Sequence, residues 1–292
     1  MRLDDSRASQ NVEDRRGSGG VRRYVPHIGF GGLAVLVVGY LFGINPSTLL
    51  GLMEATQGTG TGGAASSAPA QTGTPTDPQG LFAAKVLGET EDMWTQFFKD
   101  LGSKTPYPPP TLTLFSGSVE SACGMASAAA GPFYCPGDQH VYIDLDFFNE
   151  LESRFGAPGD FARAYVIAHE VGHHIQFLLG TTEAAEKAMS SSTKAVANRT
   201  SVALELQADC YAGIWAKDAD SAHKILEAGD LDEALKAASA VGDDTLQKAT
   251  QGRVVPDSFT HGTSQQRMRW FKKGYDGGTL QGCDTFSAGA DL

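Results

Sequence analysis

The chain has 292 residues, of which 41% are apolar and 20% charged, a composition typical of a globular protein. Its formal net charge is −11. Because binding to phosphates requires a basic surface, this composition argues against nucleic acid as a partner.

The first 50 residues have the pattern of a membrane anchor. Residues 1–24 are polar and charged, which predicts a disordered cytoplasmic tail. The run Ile28–Ile44 contains no charged residue, and a bilayer requires about 20 apolar residues, so the sequence predicts a transmembrane signal anchor over residues 25–50. A cleaved signal peptide fits less well, because no small-x-small site directly follows the apolar core.

The distribution of charge predicts the orientation of that anchor. Four arginines lie shortly before the apolar run, and no Lys or Arg follows it until Lys85. By the positive-inside rule, the N-terminus would be cytoplasmic and the rest of the chain extracytoplasmic. The prediction is a single-pass protein of the bacterial cell membrane, with the lipid bilayer as a partner.

The remaining chain reads as a linker followed by one domain. Residues 51–80 are rich in Gly, Ser, Thr and Pro, which predicts a flexible linker. Residues 81–292 are expected to form an α+β domain, mainly helical with a small sheet. The predicted strands are Thr111–Phe115 and His140–Leu145. The predicted helices follow Asp77-Pro78 or lie near 161–179, Ser201–Lys217, Leu231–Ala240 and Ser264–Lys273, the last with Gly274 after its end.

The segment His169-Glu170-Val171-Gly172-His173 is an H-E-x-x-H motif on an amphipathic helix. At about 100° per residue, His169 and His173 lie about 40° apart, so both rings point to one side of the helix. This pattern predicts two zinc ligands, with Glu170 as the general base. The alternative is a buried helix whose histidines only make hydrogen bonds.

A catalytic zinc held by two histidines needs a third protein ligand. Glu205 and Asp209 are four residues apart on a later apolar helix, so they share one face. We interpret Glu205 as the ligand and Asp209 as the group that holds the N–H of a zinc-bound imidazole. The assignment of these two carboxylates could be reversed, and a solvated acidic face is the non-metal alternative.

These motifs resemble the gluzincin arrangement, in which the third ligand is a glutamate on a later helix. The closer resemblance is to the bacterial family called "putative neutral zinc metallopeptidases". It is carried by GPFYCPGDQHVYIDLDFF (131–148), AYVIAHEVGHHIQ (164–176), ELQADCYAGIWA (205–216) and FTHGTSQQRMRWF (259–271). The resemblance implies a zincin-like fold and peptidase activity, and leaves the substrate open.

By the same resemblance, His261 would stabilise the oxyanion of the transition state, as a donor beside the metal. A structural histidine in the loop before the last helix is an equal alternative. His174 lies about 100° around the helix from His173, which predicts a packing or supporting role.

The chain contains four cysteines, none with C-x-x-C spacing. If the domain is extracytoplasmic, three disulfide pairings are possible. We favour Cys123 with Cys135, which closes a local loop, and Cys210 with Cys283, which ties the C-terminal segment to the Glu205 helix. Free thiols are the alternative.

Together these features predict a membrane-tethered, zinc-dependent endopeptidase with one Zn²⁺ per chain and a peptide or protein substrate. In zincin-like folds an edge strand pairs with the extended peptide, and either predicted strand is a candidate. Two other classes remain open. One is a non-catalytic, membrane-anchored zinc-binding scaffold, and the other is a zinc hydrolase that cleaves an amide bond in a non-protein substrate.

Overall fold

A computed structural model describes residues 1–17, 70–287 and 290, which contain seven short strands and eight α-helices. The strands are β1 (Val12–Asp14), β2 (Gln71–Thr72), β3 (Thr111–Phe115), β4 (Ser118–Ser121), β5 (Gly124–Ser127), β6 (Phe133–Cys135) and β7 (His140–Asp144). The helices are α1 (Pro78–Asp100), α2 (Asp146–Ser153), α3 (Asp160–Leu178), α4 (Thr181–Ser190), α5 (Lys194–His223), α6 (Asp230–Ala240), α7 (Asp243–Gln251) and α8 (Ser264–Gly277). The α+β prediction is confirmed.

Five of the strands form one mixed sheet in the order β2-β1-β3-β7-β6. The three central strands are parallel, and each outer strand is antiparallel to its neighbour. Strands β4 and β5 form a separate antiparallel hairpin. The two predicted strands are therefore the interior strands β3 and β7, and the expectation that one of them is an edge strand open to a peptide is wrong.

Side chains alternate between the two faces of this sheet, as strand geometry requires. On one face, Leu112, Leu114, Val141 and Ile143 belong to the main hydrophobic core, which they share with residues of α1, α3 and α5. On the other face, Phe115 and Tyr142 form a small second cluster with Val119 of the β4–β5 hairpin. The helices thus cover one face of the sheet, and the hairpin covers part of the other.

The N-terminal segment is part of the fold, contrary to the predicted disordered tail. Strand β1 lies between β2 and β3, and Val12 is 2% exposed in the main core. The buried Ser9 hydroxyl donates to Glu91 of α1, with 2.6 Å between the oxygens. The polar composition of this segment suggests disorder. A strand of three residues can nevertheless form inside a sheet, because the neighbouring strands supply its hydrogen bonds.

The predicted membrane topology is also wrong, because the N-terminal segment pairs with strands from the later part of the chain. Residues 1–16 and the chain from residue 70 onward form one compact unit, with β1 hydrogen-bonded to β3. A single membrane crossing between them would place these paired strands on opposite sides of the bilayer. No helix within residues 1–17 and 70–287 has the length and apolar content to cross a membrane. The predicted anchor, residues 25–50, and most of the predicted linker lie outside the described residues.

The predicted helices are present, but most of them differ from the prediction in their first or last residue. The Asp77 side chain caps α1 at the amide of Gly80, and Thr263 and Gln266 form a capping box at the start of α8. Gly274 does not end α8, because the helix continues to Gly277 and Gly278 takes the left-handed conformation. Helix α3 begins at Asp160, one residue before the predicted start.

Candidate metal centre

Three helices meet at the site because glycines allow their backbones to approach closely. A Cβ atom on Gly172 of α3 would lie 2.9 Å from the carbonyl oxygen of Ala208 on α5. A Cβ atom on Gly274 of α8 would lie 1.9 Å from the carbonyl oxygen of Cys210. Glycine is required where two backbones come this close. These contacts bring the motif-bearing face of α3 against α5, and α5 against α8.

His169, His173 and Glu205 converge as the sequence predicts, with their ligand atoms all within 4.8 Å of one another. The Nε2 atoms of His169 and His173 lie 3.2 and 3.5 Å from the two carboxylate oxygens of Glu205. Ligands about 2.0–2.1 Å from a tetrahedral zinc ion lie about 3.3–3.4 Å apart, so the donor set fits zinc in both chemistry and spacing. His173 and Glu205 are partly exposed, which leaves one side accessible to solvent.

Asp209 holds His169 and does not join the three ligands. Its Oδ1 atom lies 2.8 Å from Nδ1 of His169, so that N–H donates to the carboxylate and Nε2 is left to bind a metal. Arg267 of α8 donates to both Asp209 oxygens, at 2.8 and 2.9 Å, and the Tyr165 hydroxyl donates to Oδ1. Burial favours the neutral acid, but Arg267 and His169 outweigh it and lower the pKa of Asp209.

Arg267 is itself enclosed, with 3% of its surface exposed. Its Nη2 atom lies 3.3 Å from each ring nitrogen of His169 and 3.9 Å from Glu205. A buried guanidinium needs a partner of opposite charge, and Asp209 supplies it. The cation also offsets part of the negative charge that two neighbouring carboxylates would otherwise accumulate.

Glu170 lies next to His169 on the same helix and is 7% exposed. Burial raises the pKa of its carboxyl group, while the charges of His169 and His173 act in the opposite direction. The carboxyl group of Glu170 is close enough to His169, His173 and Glu205 for their charges to influence it, and it does not belong to the cluster of possible metal ligands. A general base for an attacking water would have to be near the metal without binding it.

His261 lies in the loop before α8, close enough to Glu205 for the two charges to influence each other. Its Nδ1 atom is 3.2 Å from Oδ1 of Asp243, and its backbone amide donates to Oδ2 at 2.7 Å. The hydrogen bond to Asp243 raises the pKa of His261. The ring is half exposed and pairs with an acidic residue of α7, so it belongs to the rim of the site and is not a metal ligand.

His174 faces away from the metal. Its Nε2 atom lies 2.7 Å from the carbonyl oxygen of Pro108, and its Nδ1 atom 2.9 Å from the hydroxyl of Tyr134 on β6. Burial lowers the pKa of its imidazole to about 4, so the ring is neutral at neutral pH. The predicted supporting role is confirmed, since His174 ties α3 to the edge of the sheet.

Both predicted disulfides are present, Cys123–Cys135 and Cys210–Cys283. The first joins the turn between β4 and β5 to the edge strand β6. The second joins α5, one residue after Asp209, to the C-terminal segment.

Two residues of α3 belong to the site but were not assigned to it from the sequence. Tyr165 lies four residues before His169 and Gln176 three residues after His173, so both share the metal-binding face of α3. Gln176 accepts from Nδ1 of His173 at 2.8 Å. Helical spacing around the H-E-x-x-H motif was the available signal for both, and only the contacts in the structure show which neighbours are used.

Comparison with known families agrees with this geometry. The sequence profile described as "Putative neutral zinc metallopeptidase" matches residues 1–286. The chain belongs to this family. Membership supports a zinc-dependent peptidase at the level of the family. The matched region includes the N-terminal segment as well as the helices of the candidate metal centre.

Two bacterial proteins are similar to this chain over much of their length. "Uncharacterized protein YpfJ" of Escherichia coli (strain K12) is 46% identical over 292 residues, covering 98% of this chain and 99% of that protein. "Uncharacterized protein Rv2575" of Mycobacterium tuberculosis (strain H37Rv) is 46% identical over 196 residues, covering 64% of this chain and 65% of that protein. No solved structure gives a significant match to the chain.

Proposed function

We propose that this protein is a zinc-dependent endopeptidase that hydrolyses peptide bonds with Glu170 as the general base. The observation that carries the proposal is the convergence of His169, His173 and Glu205, with one side of the cluster accessible to solvent. A purely structural zinc site would have four protein ligands and be closed to solvent. One zinc ion per chain is expected.

Zinc at such a site supplies a Lewis acid that makes water a competent nucleophile near neutral pH. The chain's own residues handle the protons and the geometry. Glu170 takes the proton from the attacking water and passes it to the leaving amine. Asp209 and Gln176 hold the N–H groups of His169 and His173, which keeps the Nε2 atoms of both rings directed at the metal.

His261 is proposed as the donor that stabilises the developing oxyanion. Its ring is half exposed at the rim of the site, and the hydrogen bond to Asp243 favours its protonated form. A protonated imidazole donates more strongly to an anionic oxygen than to a neutral carbonyl, so its contribution would be greatest in the transition state.

A peptide substrate is proposed to extend the sheet at β6. This strand is an edge of the five-stranded sheet, and it packs on the metal-site helix α3, where Tyr134 contacts His174 and Phe177. An extended peptide paired with this edge would gain backbone hydrogen bonds that do not depend on its sequence.

The test compares the full-length wild type with the variant Glu170→Gln. The full chain is needed because residues 1–16 belong to the sheet. We expect one zinc per chain in both proteins, by mass spectrometry of the bound metal, and hydrolysis of casein or a peptide library by the wild type alone. A folded wild type that binds no zinc would refute the proposal.

The same pair of proteins separates the two other classes. A scaffold would bind zinc and show no hydrolysis in either protein against any peptide pool. An amide hydrolase of a non-protein substrate would release products from peptidoglycan in a parallel assay and leave peptides intact. Either result would overturn the assignment to endopeptidases.

A further inference from the structure

The proposed zinc ligand His173 is the last member of a series of hydrogen-bonded residues that begins at Cys283, one of the two cysteines of the Cys210–Cys283 disulfide. We propose that the carbonyl group of Cys283, acting through Gln207 and Gln176, fixes the tautomer and orientation of His173. The Cys210–Cys283 disulfide would then be part of the framework of the metal centre. This inference rests on the proposed zinc site.

The contacts run without a break from the C-terminal segment to the ligand. The amide of Gln207 on α5 donates to the carbonyl oxygen of Cys283, with Nε2 and O 3.1 Å apart. The carbonyl oxygen of the Gln207 side chain accepts from Nε2 of Gln176 at 3.1 Å. Gln176 in turn accepts from Nδ1 of His173 at 2.8 Å.

The direction of each amide follows from its partners. Gln176 turns its NH₂ group toward α5, where the side-chain oxygen of Gln207 and the backbone carbonyl of Leu204 both accept from it, at 3.1 and 2.7 Å. Its oxygen then faces His173 and can only accept, which places the ring proton on Nδ1. Nε2 of His173 is left with a lone pair for the metal.

Gln207 is oriented by Cys283. If its amide were reversed, its NH₂ group would face the NH₂ group of Gln176 and its oxygen would face the carbonyl of Cys283. Two donors and two acceptors would then be opposed in a region where water cannot compensate, since Gln176 is 0% and Gln207 5% exposed. Cys283 therefore selects the orientation of Gln207 that supports Gln176.

The disulfide holds that carbonyl in place. Cys283 is the last residue of a short 3₁₀ turn, Gln281–Cys283, and its side chain is bonded to Cys210 on α5. Both cysteines are fully buried. A second attachment follows two residues later, where the hydroxyl of Thr285 donates to the carbonyl of Ala203 on the same helix. The turn has no other covalent link to α5.

The first experiment replaces Gln207 or Gln176 and measures the tautomer of His173 directly. Long-range ¹H–¹⁵N spectra of the metal-free, full-length protein should show His173 protonated on Nδ1 in the wild type. In Gln176→Leu we expect a mixture of tautomers and a fall in zinc affinity of about 10- to 100-fold, measured by competition with a chelator, because the direct partner of a ligating histidine is lost. In Gln207→Leu both changes should be present but smaller, because the carbonyl of Leu204 still accepts from Gln176.

The second experiment uses the two disulfides as a matched pair. Cys210→Ser/Cys283→Ser should weaken zinc binding and shift the His173 tautomer. Cys123→Ser/Cys135→Ser removes a disulfide from the cluster on the outer face of the sheet and should leave both readouts as in the wild type. Equal losses of zinc affinity in the two double variants would overturn the role of the C-terminal disulfide.

Gln207→Leu keeps the inference testable if the disulfide variant does not fold. A Gln207→Leu protein with wild-type zinc affinity and an unchanged Nδ1–H tautomer would refute it. The failure of the proposed function is distinguishable, because a wild type without peptidase activity or zinc would still report its tautomer in the metal-free spectrum.

Discussion

The carboxylate of Asp209 and the ring of His169 share a hydrogen bond of 2.8 Å between Oδ1 and Nδ1. This contact joins α5 to α3 and decides which ring nitrogen faces the metal. It also separates the two acidic residues of α5 by position, since Glu205 belongs to the cluster of possible metal ligands and Asp209 contacts the far side of the His169 ring. The roles predicted for Glu205 and Asp209 are compatible with these positions.

Asp209→Asn should weaken zinc binding about 10- to 100-fold, because an amide holds the His169 N–H less strongly than a carboxylate and leaves Arg267 without its counter-ion. The measurement is competition for zinc with a chelator of known affinity. Asp243→Asn is the matched control, since Asp243 contacts His261 and no metal ligand among the described residues. Equal affinity in Asp209→Asn and the wild type would contradict the role given to Asp209.

Arg267→Met should cost about 3–5 kcal/mol of unfolding free energy, because it leaves the fully buried Asp209 carboxylate without its guanidinium counter-ion. Replacing both residues, in Arg267→Met/Asp209→Leu, should recover part of that loss, since the carboxylate that lost its counter-ion is then also removed. Urea denaturation of the metal-free proteins gives both values. A double variant that is less stable than Arg267→Met would count against this account.

The pair His261–Asp243 should make stability depend on pH. The pKa of His261 is raised by Asp243 and by Glu205, against the opposing effects of burial and Arg267. The stabilisation that protonated His261 contributes is therefore fully present below the pKa of the unfolded state, about 6.5. It is lost as the pH rises through the higher pKa of the folded state. The pKa of Asp243 is lowered, despite its burial, by hydrogen bonds from His261, so its contribution is lost only in acid.

The measurement is the difference in unfolding free energy between the metal-free wild type and His261→Ala. This difference should be largest near about pH 6 and should shrink toward about pH 9. In the Asp243→Asn background the same substitution should show little dependence on pH. A difference that grows with increasing pH would reverse the predicted sign.

Gly274→Ala should destabilise the fold strongly, because the added methyl group would overlap the carbonyl oxygen of Cys210 on α5. Gly277→Ala, in the same helix, meets no atom within 4 Å and should be neutral or stabilise by up to about 1 kcal/mol. Thermal unfolding of the two variants checks the contrast. Similar melting temperatures would mean that α8 shifts freely against α5.

Residues 1–16 should be required for folding, since β1 lies in the interior of the sheet. Their deletion would expose the edge of β3 and part of the main core. Val12→Ala offers a milder test, with an expected loss of about 2 kcal/mol from a side chain that is 2% exposed. A folded, cooperative protein that lacks residues 1–16 would refute this assignment.

The metal ligands could be predicted from the sequence because their spacing is local. His169 and His173 are one helical turn apart, as are Glu205 and Asp209, so each pair shares a face wherever its helix packs. The sequence also favoured the two observed disulfides among three possible pairings, and the Cys123–Cys135 loop, 12 residues apart, is local. The ligand pairs and this loop depend on short-range geometry and chemical type, which a sequence displays directly.

The tertiary structure alone decided the relationships between distant segments. A three-residue strand such as Val12–Asp14 carries almost no periodic signal, and its place between β2 and β3 depends on pairing with residues 57 to 59 and 100 positions away. The membrane topology was predicted wrongly for that reason. The partners of Asp209 and Gln207 likewise could not be predicted, because Arg267 of α8 and the Cys283 turn reach α5 only when the helices pack.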